Sequence, residues 1–306
     1  MHIFLTGVAG LAGSAFARAA KRRGHTITGV IHKTPPPDDL PIDNTLEGDL
    51  TDRNWVFQTV LDRFPDALVN AAAISEAGEC EANPETSQSL NVDLPAHLAQ
   101  LAHHLSALFL HLSTDMVFDG ERGNYSPADS PSPPNLYGWQ KTEAEKAVLK
   151  QAPSFALVLR LSLLNGNSTT GRRSAHEKLF ASWAGGETAR LYTDEIRQPC
   201  LAENAAEVMV ELCERNDLLG IHHWAGAERL SRWDFGRKIV RHFNLPESLI
   251  EPASRLDYKQ GRQRPANLTF DLSGLRTKLK TRPQTVEEQL ESLVVPPPAR
   301  EWFHSL

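Results

Sequence analysis

Three side chains in this chain could act together on one carbonyl group. Thr114 lies in the segment STDMVFDG, and Tyr137 and Lys141 lie in YGWQK. Tyr137 and Lys141 are four residues apart, so on a helix they share one face. A tyrosine with its ordinary pKa near 10 is a poor base at neutral pH. A nearby ammonium, and a positive ring beside it, would favour the phenolate. The pair could then exchange a proton with a carbonyl oxygen while hydride moves at carbon. Thr114 could polarise the same oxygen, and Lys141 could also bond to ribose hydroxyls. A Tyr-x-x-x-Lys pair is common on exposed helices, but the flanking Pro134-Asn135-Leu136 and Gly138 set this one apart.

Such chemistry needs a hydride carrier, and the N-terminus has a place for one. TGVAGLAG, Thr6 to Gly13, follows an apolar strand pattern and opens a helical one. Gly7, Gly10 and Gly13 allow a tight turn and close backbone approach to phosphate, while Leu11 and Ala12 begin the helix. The helix start offers unpaired N–H groups and the positive end of its dipole. The second strand pattern ends in Ile31-His32-Lys33, where a site preferring NAD usually has an acidic residue for the ribose 2′-hydroxyl. His32 and Lys33 would instead attract a 2′-phosphate. The expected cofactor is therefore NADP(H), with NAD(H) as the alternative; Lys33 otherwise simply opens the next loop. Asp49 could accept from an adenine amino group with Leu50 packed on the ring, or Asp49 could cap the helix near Arg53. Ala71, Ala72 and Ala73 are small enough to let a flat cofactor lie along the backbone.

The elements that would position these groups alternate between two periods. Residues 3–6, 26–31, 67–72, 107–113 and 155–162 read as buried strands. Residues 11–23, 53–64, 91–105 and 137–151 read as helices, the first stopped by Gly24. Strands apolar throughout, alternating with helices, imply an α/β fold with a Rossmann-type, doubly wound parallel sheet. Residues 120–136, rich in Pro, Ser, Asp and Gly, read as a surface loop. Beyond residue 165 the alternation weakens. Helices are expected over 174–183, 203–214 and 231–243, the last capped by Ser231, and a strand over 220–224. The expected division is a cofactor-binding domain over 1–165, also receiving part of about 197–225, and a smaller substrate-binding region over 166–306.

Composition narrows the alternatives. The chain has 306 residues and a net charge of −6, which gives no reason to expect nucleic acid; Lys21, Arg22 and Arg23 complement a helix dipole. No apolar run reaches the ~18 residues needed to cross a bilayer. No charged leader precedes the first strand pattern, so a cytoplasmic location is expected. The three cysteines lack CxxC spacing and fit a reducing compartment. The histidine pairs 103–104 and 222–223 have no acidic or cysteine partner at ligand spacing, so no metal site is expected.

Taken with GDLTD, NAAAIS, LNVD, PNLYGWQK and RPANLTFD, these segments resemble the extended short-chain dehydrogenase/reductases, and among them the dTDP-4-dehydrorhamnose reductase family. The resemblance implies Thr114, Tyr137 and Lys141 as the catalytic set. It also implies reduction of a 4-keto group on a nucleotide-linked deoxysugar. It places Ser75 and Asp115 near the sugar and makes Arg264 a contact for the diphosphate, where a forked guanidinium suits phosphate; Arg264 otherwise is a loop arginine before Pro265. Homodimers are frequent in that family. Two residues depart from its pattern: Met116 stands where it has tyrosine, and Leu163 where it has tryptophan, both bordering the sugar pocket. Two other functions stay open. NLYG, GIHHWAG and FNLPESL share the texture of the beta regulatory subunit of methionine adenosyltransferase, which implies cofactor binding with little chemistry. An epimerase is the third reading; a dehydratase is disfavoured because no Glu follows Asp115.

Overall fold

The apolar runs do become the strands of one sheet. In a computed structural model, which describes all residues except Lys33 and Gln263 and only the backbone of Gln260 and Arg262, seven parallel strands form the centre. They are β1 (His2–Thr6), β2 (Thr26–Ile31), β3 (Asn44–Glu47), β4 (Ala67–Asn70), β5 (Leu108–Thr114), β6 (Ala156–Leu161) and the later β11 (Gly220–Trp224). Their order is β11-β6-β5-β4-β1-β2-β3. The direction of winding reverses between β1 and β4. Sheets of this kind bind ligands outside the carboxyl ends of the strands flanking that reversal.

Helices cover both faces. On one side α1 (Leu11–Arg22) packs against α8 (Ala202–Cys213). Phe16, Leu110, Leu159, Met209, Leu212 and Trp224 share the core there. On the other side α2 (Arg53–Arg63), α5 (Leu94–Leu105) and α6 (Leu136–Gln151) enclose Phe4, Leu68, Leu98, Phe109 and Val158. The short helices α3 (Ala77–Ala82) and α4 (Pro84–Gln88) run into a π turn over Ser89–Asp93 before α5 begins. Sequence periodicity reads this stretch from residue 91 as ordinary helix. The turn lets buried Asn91 hold the β4–α3 connection: its Oδ1 accepts from Ile74 N at 3.0 Å and its Nδ2 donates to Ile74 O at 3.0 Å and to Gln140 Oε1 at 2.9 Å.

After β6 come three small strand pairs. β7 (Leu164–Asn165) lies beside β10 (Cys200–Leu201), β8 (Ala189–Tyr192) beside β13 (Ile250–Ala253), and β9 (Ile196–Arg197) beside β12 (Leu230–Ser231). α7 (Ala175–Ala184), α9 (Arg232–His242) and the C-terminal residues form a third core around Phe180, Trp183, Phe235 and Ile239. Ser231 does cap α9, accepting from Asp234 N. The loop at 120–136 is irregular but not wholly superficial. Tyr125 is buried, stacks on Phe118 with centroids 4.2 Å apart, and bridges to Phe270. Asn267 N donates to Gly120 O at 2.8 Å, and the same cluster takes in His223, stacked on Phe270 at 4.1 Å.

All three cysteines are buried and free. Among the described residues no helix is long and apolar enough to cross a membrane, and no group of three or more His, Cys, Asp or Glu could hold a metal ion.

Candidate active site

The glycine loop leaves β1 at Thr6 and turns at Gly7, whose φ of +70° favours a residue without Cβ. A Cβ at Gly7 would lie 2.6 Å from the carbonyl carbon of Ala71, and one at Gly13 would lie 2.2 Å from Gly7 O. The loop therefore rests on the end of β4, and α1 rests on the loop. Gly10 is exposed and is the N-cap of α1, with no side-chain hydrogen bond capping the helix. The first-turn amides, including those of Leu11, Ala12 and Gly13, thus form the kind of cradle an anionic pyrophosphate fills. Ala71 and Ala72 are half-buried beside it, and Ala73 and Ser75 are exposed.

The groups expected at the adenosine end are less uniform. His32 is exposed beyond β2; Lys33 lies outside the described residues. Asp49 accepts from Thr51 N and Thr51 Oγ1, each at 2.8 Å. The N-cap of α2 is Asp52, which accepts from Asn54 N and Trp55 N, so the alternative role for Asp49 as that cap is corrected. Leu50 is partly buried against the α2–α5 core.

Thr114 is the last residue of β5. The first turn of α6 sits directly on the turn that follows it: a Cβ at Gly138 would lie 2.1 Å from Met116 O. Asn135 caps α6 by accepting from Gly138 N at 2.9 Å. This packing sets Tyr137 beside Thr114, close enough for the hydroxyl to act on the phenol. Burial pushes the Tyr137 phenol above its ordinary value; Thr114 opposes this, while Asp115 and Cys80 add to it. The expected phenolate-favouring pairing with Lys141 is not what the free protein has. Lys141 is buried, and its Nζ lies 3.0 Å from His111 Nε2. Burial brings Lys141 down to about 8, against the pull of Glu145. Tyr137 is therefore a protonated phenol, suited to giving a proton.

Asp115 is buried beside Thr114. It accepts from Ser162 Oγ at 3.0 Å and Thr114 Oγ1 at 3.3 Å. Burial pushes its carboxyl up to about 6, with Arg197 pulling the other way. Met116 packs on the Phe118–Tyr125 aromatic cluster, and Leu163 on the α7–α9 core.

Arg264 does not stand alone in its loop. Its Nε and Nη2 lie 2.5 and 2.8 Å from the two oxygens of Glu195, a fully buried carboxylate. Arg197 Nη2 reaches Glu195 at 3.2 Å, and Arg232 Nε lies 4.0 Å away. These guanidiniums hold Glu195 below its ordinary range against burial. Arg197 also acts on Asp115, so a string of charges runs from Arg264 to the side of Thr114. Arg232 lines a groove of about 710 Å³ that also takes in Lys178, Ser182, Arg190 and Leu191. Glu195, Arg197 and Arg232 were not legible in the sequence, because nothing in their spacing links them to residue 264. His111 was equally hidden, as one polar residue inside an apolar strand.

The family described as "RmlD substrate binding domain" matches residues 1–296. The chain is 32% identical over 296 residues to the probable low-salt glycan biosynthesis reductase Agl14 of Haloferax volcanii, covering 96% of this chain and 97% of that one. It is 30% identical to methionine adenosyltransferase 2 subunit beta of Bos taurus, covering 90% and 82%. Among solved structures it superposes on a hypothetical dTDP-4-dehydrorhamnose reductase from Sulfolobus tokodaii with a TM-score of 0.82 and 29% identity, covering 96% and 100%. The dTDP-4-dehydrorhamnose reductase of Bacillus anthracis in complex with NADP, at 21% identity, shares the fold with a TM-score of 0.80, covering 95% and 96%.

Proposed function

Because this chain belongs to the RmlD substrate binding domain family and is an oxidoreductase of the extended short-chain dehydrogenase/reductase type, we propose that it reduces a 4-keto group on a nucleotide-linked deoxysugar with NADPH. The bound nicotinamide supplies the hydride. Every other part of the reaction falls to this chain's own side chains. Tyr137, kept protonated by burial, gives its proton to the oxygen as it gains charge. Thr114 donates a hydrogen bond to that oxygen. Lys141 holds the cofactor ribose. The glycine cradle of Gly7, Gly10 and Gly13 takes the pyrophosphate, and Ser75 and Asp115 orient the sugar. Arg264, with Arg232 and Arg197 behind it, holds the nucleotide diphosphate.

The observation that carries this reading is the packing of the first turn of α6 on the end of β5, which sets Tyr137 beside Thr114. The choice of NADPH rests on the absence of an acidic residue at the end of β2, with NADH the alternative. In the same reading residues 1–165, with part of 197–225, bind the cofactor, and residues 166–306 mainly bind substrate. The unit at work is a homodimer in the cytoplasm. The test is cofactor oxidation over a panel of nucleotide-linked 4-keto-deoxysugars. Turnover is expected with at least one member. Tyr137→Phe is expected to keep NADPH affinity and lose about 10²–10⁴-fold in rate; normal turnover in that variant would refute the assignment.

A second reading is favoured by the likeness to methionine adenosyltransferase 2 subunit beta over 90% of this chain. On that reading the protein binds NADPH tightly and turns over no sugar in the panel.

A further inference from the structure

Lys141 has one hydrogen-bond partner whose direction can be worked out from the backbone. Asn70 ends β4 and is buried, and its Oδ1 accepts from Ala72 N at 3.3 Å. A backbone N–H can only donate, so this contact fixes which end of the amide is oxygen. The Thr6 hydroxyl donates to the same oxygen at 2.5 Å. The Asn70 Nδ2 group therefore faces His111 Nδ1, 3.1 Å away, and donates to it. A neutral imidazole has one donor and one acceptor. With Nδ1 accepting, Nε2 carries the hydrogen, and it points at Lys141 Nζ 3.0 Å away. An ammonium there would set two donors against each other. An amine would accept.

We propose that Asn70 and His111 favour the neutral amine of Lys141 in the free protein, so that in mildly alkaline solution Lys141 takes up a proton from solvent when the nicotinamide dinucleotide binds. The bound cofactor brings ribose oxygens, which accept from an ammonium, and phosphate charge, which favours one. This inference rests on the cofactor reading above. The groups acting on Lys141 are His111 of β5 and, on its own helix, Glu145. Glu145 is tied to Arg160 of β6 at 2.6 Å and to Ser113 of β5. Burial acts in the same direction as the hydrogen-bond polarity, for it lowers both Lys141 and His111.

The experiment is calorimetry of NADPH binding at about pH 8.5 in buffers of different ionisation enthalpy, which counts protons exchanged. That pH lies above the range of Asp115, at about 6. Wild-type protein is expected to take up roughly half a proton or more per cofactor, since an amine near 8 is largely uncharged there. Asn70→Asp offers His111 Nδ1 an acceptor, so the site already holds the extra proton; uptake should fall to near zero. Lys141→Met, which needs no buried new charge, should also abolish it. Binding without uptake in the wild type would overturn the proposal, as would undiminished uptake in either variant. No NADPH binding at all would overturn the cofactor reading, and this inference with it.

Discussion

Lys141 is a lysine whose burial should carry a cost to the fold. Its ammonium is depressed from 10.5 to about 8 chiefly by desolvation. A depressed pKa in the fold means that stability is complete above the unfolded value and is lost as pH falls through the folded value. Wild-type stability should therefore rise between about pH 8 and pH 10.5. Lys141→Met removes the penalty at similar volume. We expect it to be more stable to urea by on the order of 2–3 kcal/mol at pH 7, the gap closing above about pH 10.5. An equal stability at pH 7 would show that hydrogen bonding offsets burial at this site. Asp115 runs the same way in reverse: its raised carboxyl weakens the fold as pH rises from about 4 to 6. Lys141 and Asp115 are thus two buried ionisable groups kept at the expense of stability.

At the scale of elements, the glycine loop joins β1, the end of β4 and α1 into one fitted corner. Gly13→Ala would drive a Cβ to 2.2 Å from Gly7 O, a backbone atom that cannot swing aside. We expect a fall in thermal midpoint equivalent to about 2 kcal/mol or more, with NADPH affinity lost in a direct titration. This corner was legible from glycine spacing and its strand–helix context, as were β2, a run rich in β-branched residues, and β11, which opens at Gly220 and ends at Trp224. Other elements were not, for physical reasons. β3 lies at the edge of the sheet and its residues are mostly exposed, so it carries no buried periodicity. α3 and α4 are 6 and 5 residues long, each with one buried residue, below the length at which a helical pattern shows. The π turn before α5 depends on what Asn91 grips, which is a tertiary fact. Thr114, Tyr137 and Lys141 could be nominated from residue types. The direction of the Tyr137 shift could not, since it is set by burial that only the packed first turn of α6 creates.

For the whole molecule, the sheet is not finished when the first half of the chain ends. β11 pairs with β6 along its full length, and α8 covers α1. Met209, Leu212 and Trp224 complete the core on that face. A fragment of residues 1–165 would expose this apolar surface. We expect it to unfold without a cooperative transition and to bind a hydrophobic dye; a sharp transition would show that the first six strands suffice. The chain crosses between its two regions at a second place, where Phe118, Tyr125, His223 and Phe270 stack. Gly120, at φ +78°, fits under Pro265, one residue from Arg264. The stretch that follows Thr114 and the stretch that carries Arg264 are therefore one moulded piece, though more than 140 positions separate them. Recombination between relatives would have to pass both stretches on together. A hybrid that took its sugar-side segment from one parent and residues 118–125 from another would inherit two halves of a joint cut to different patterns.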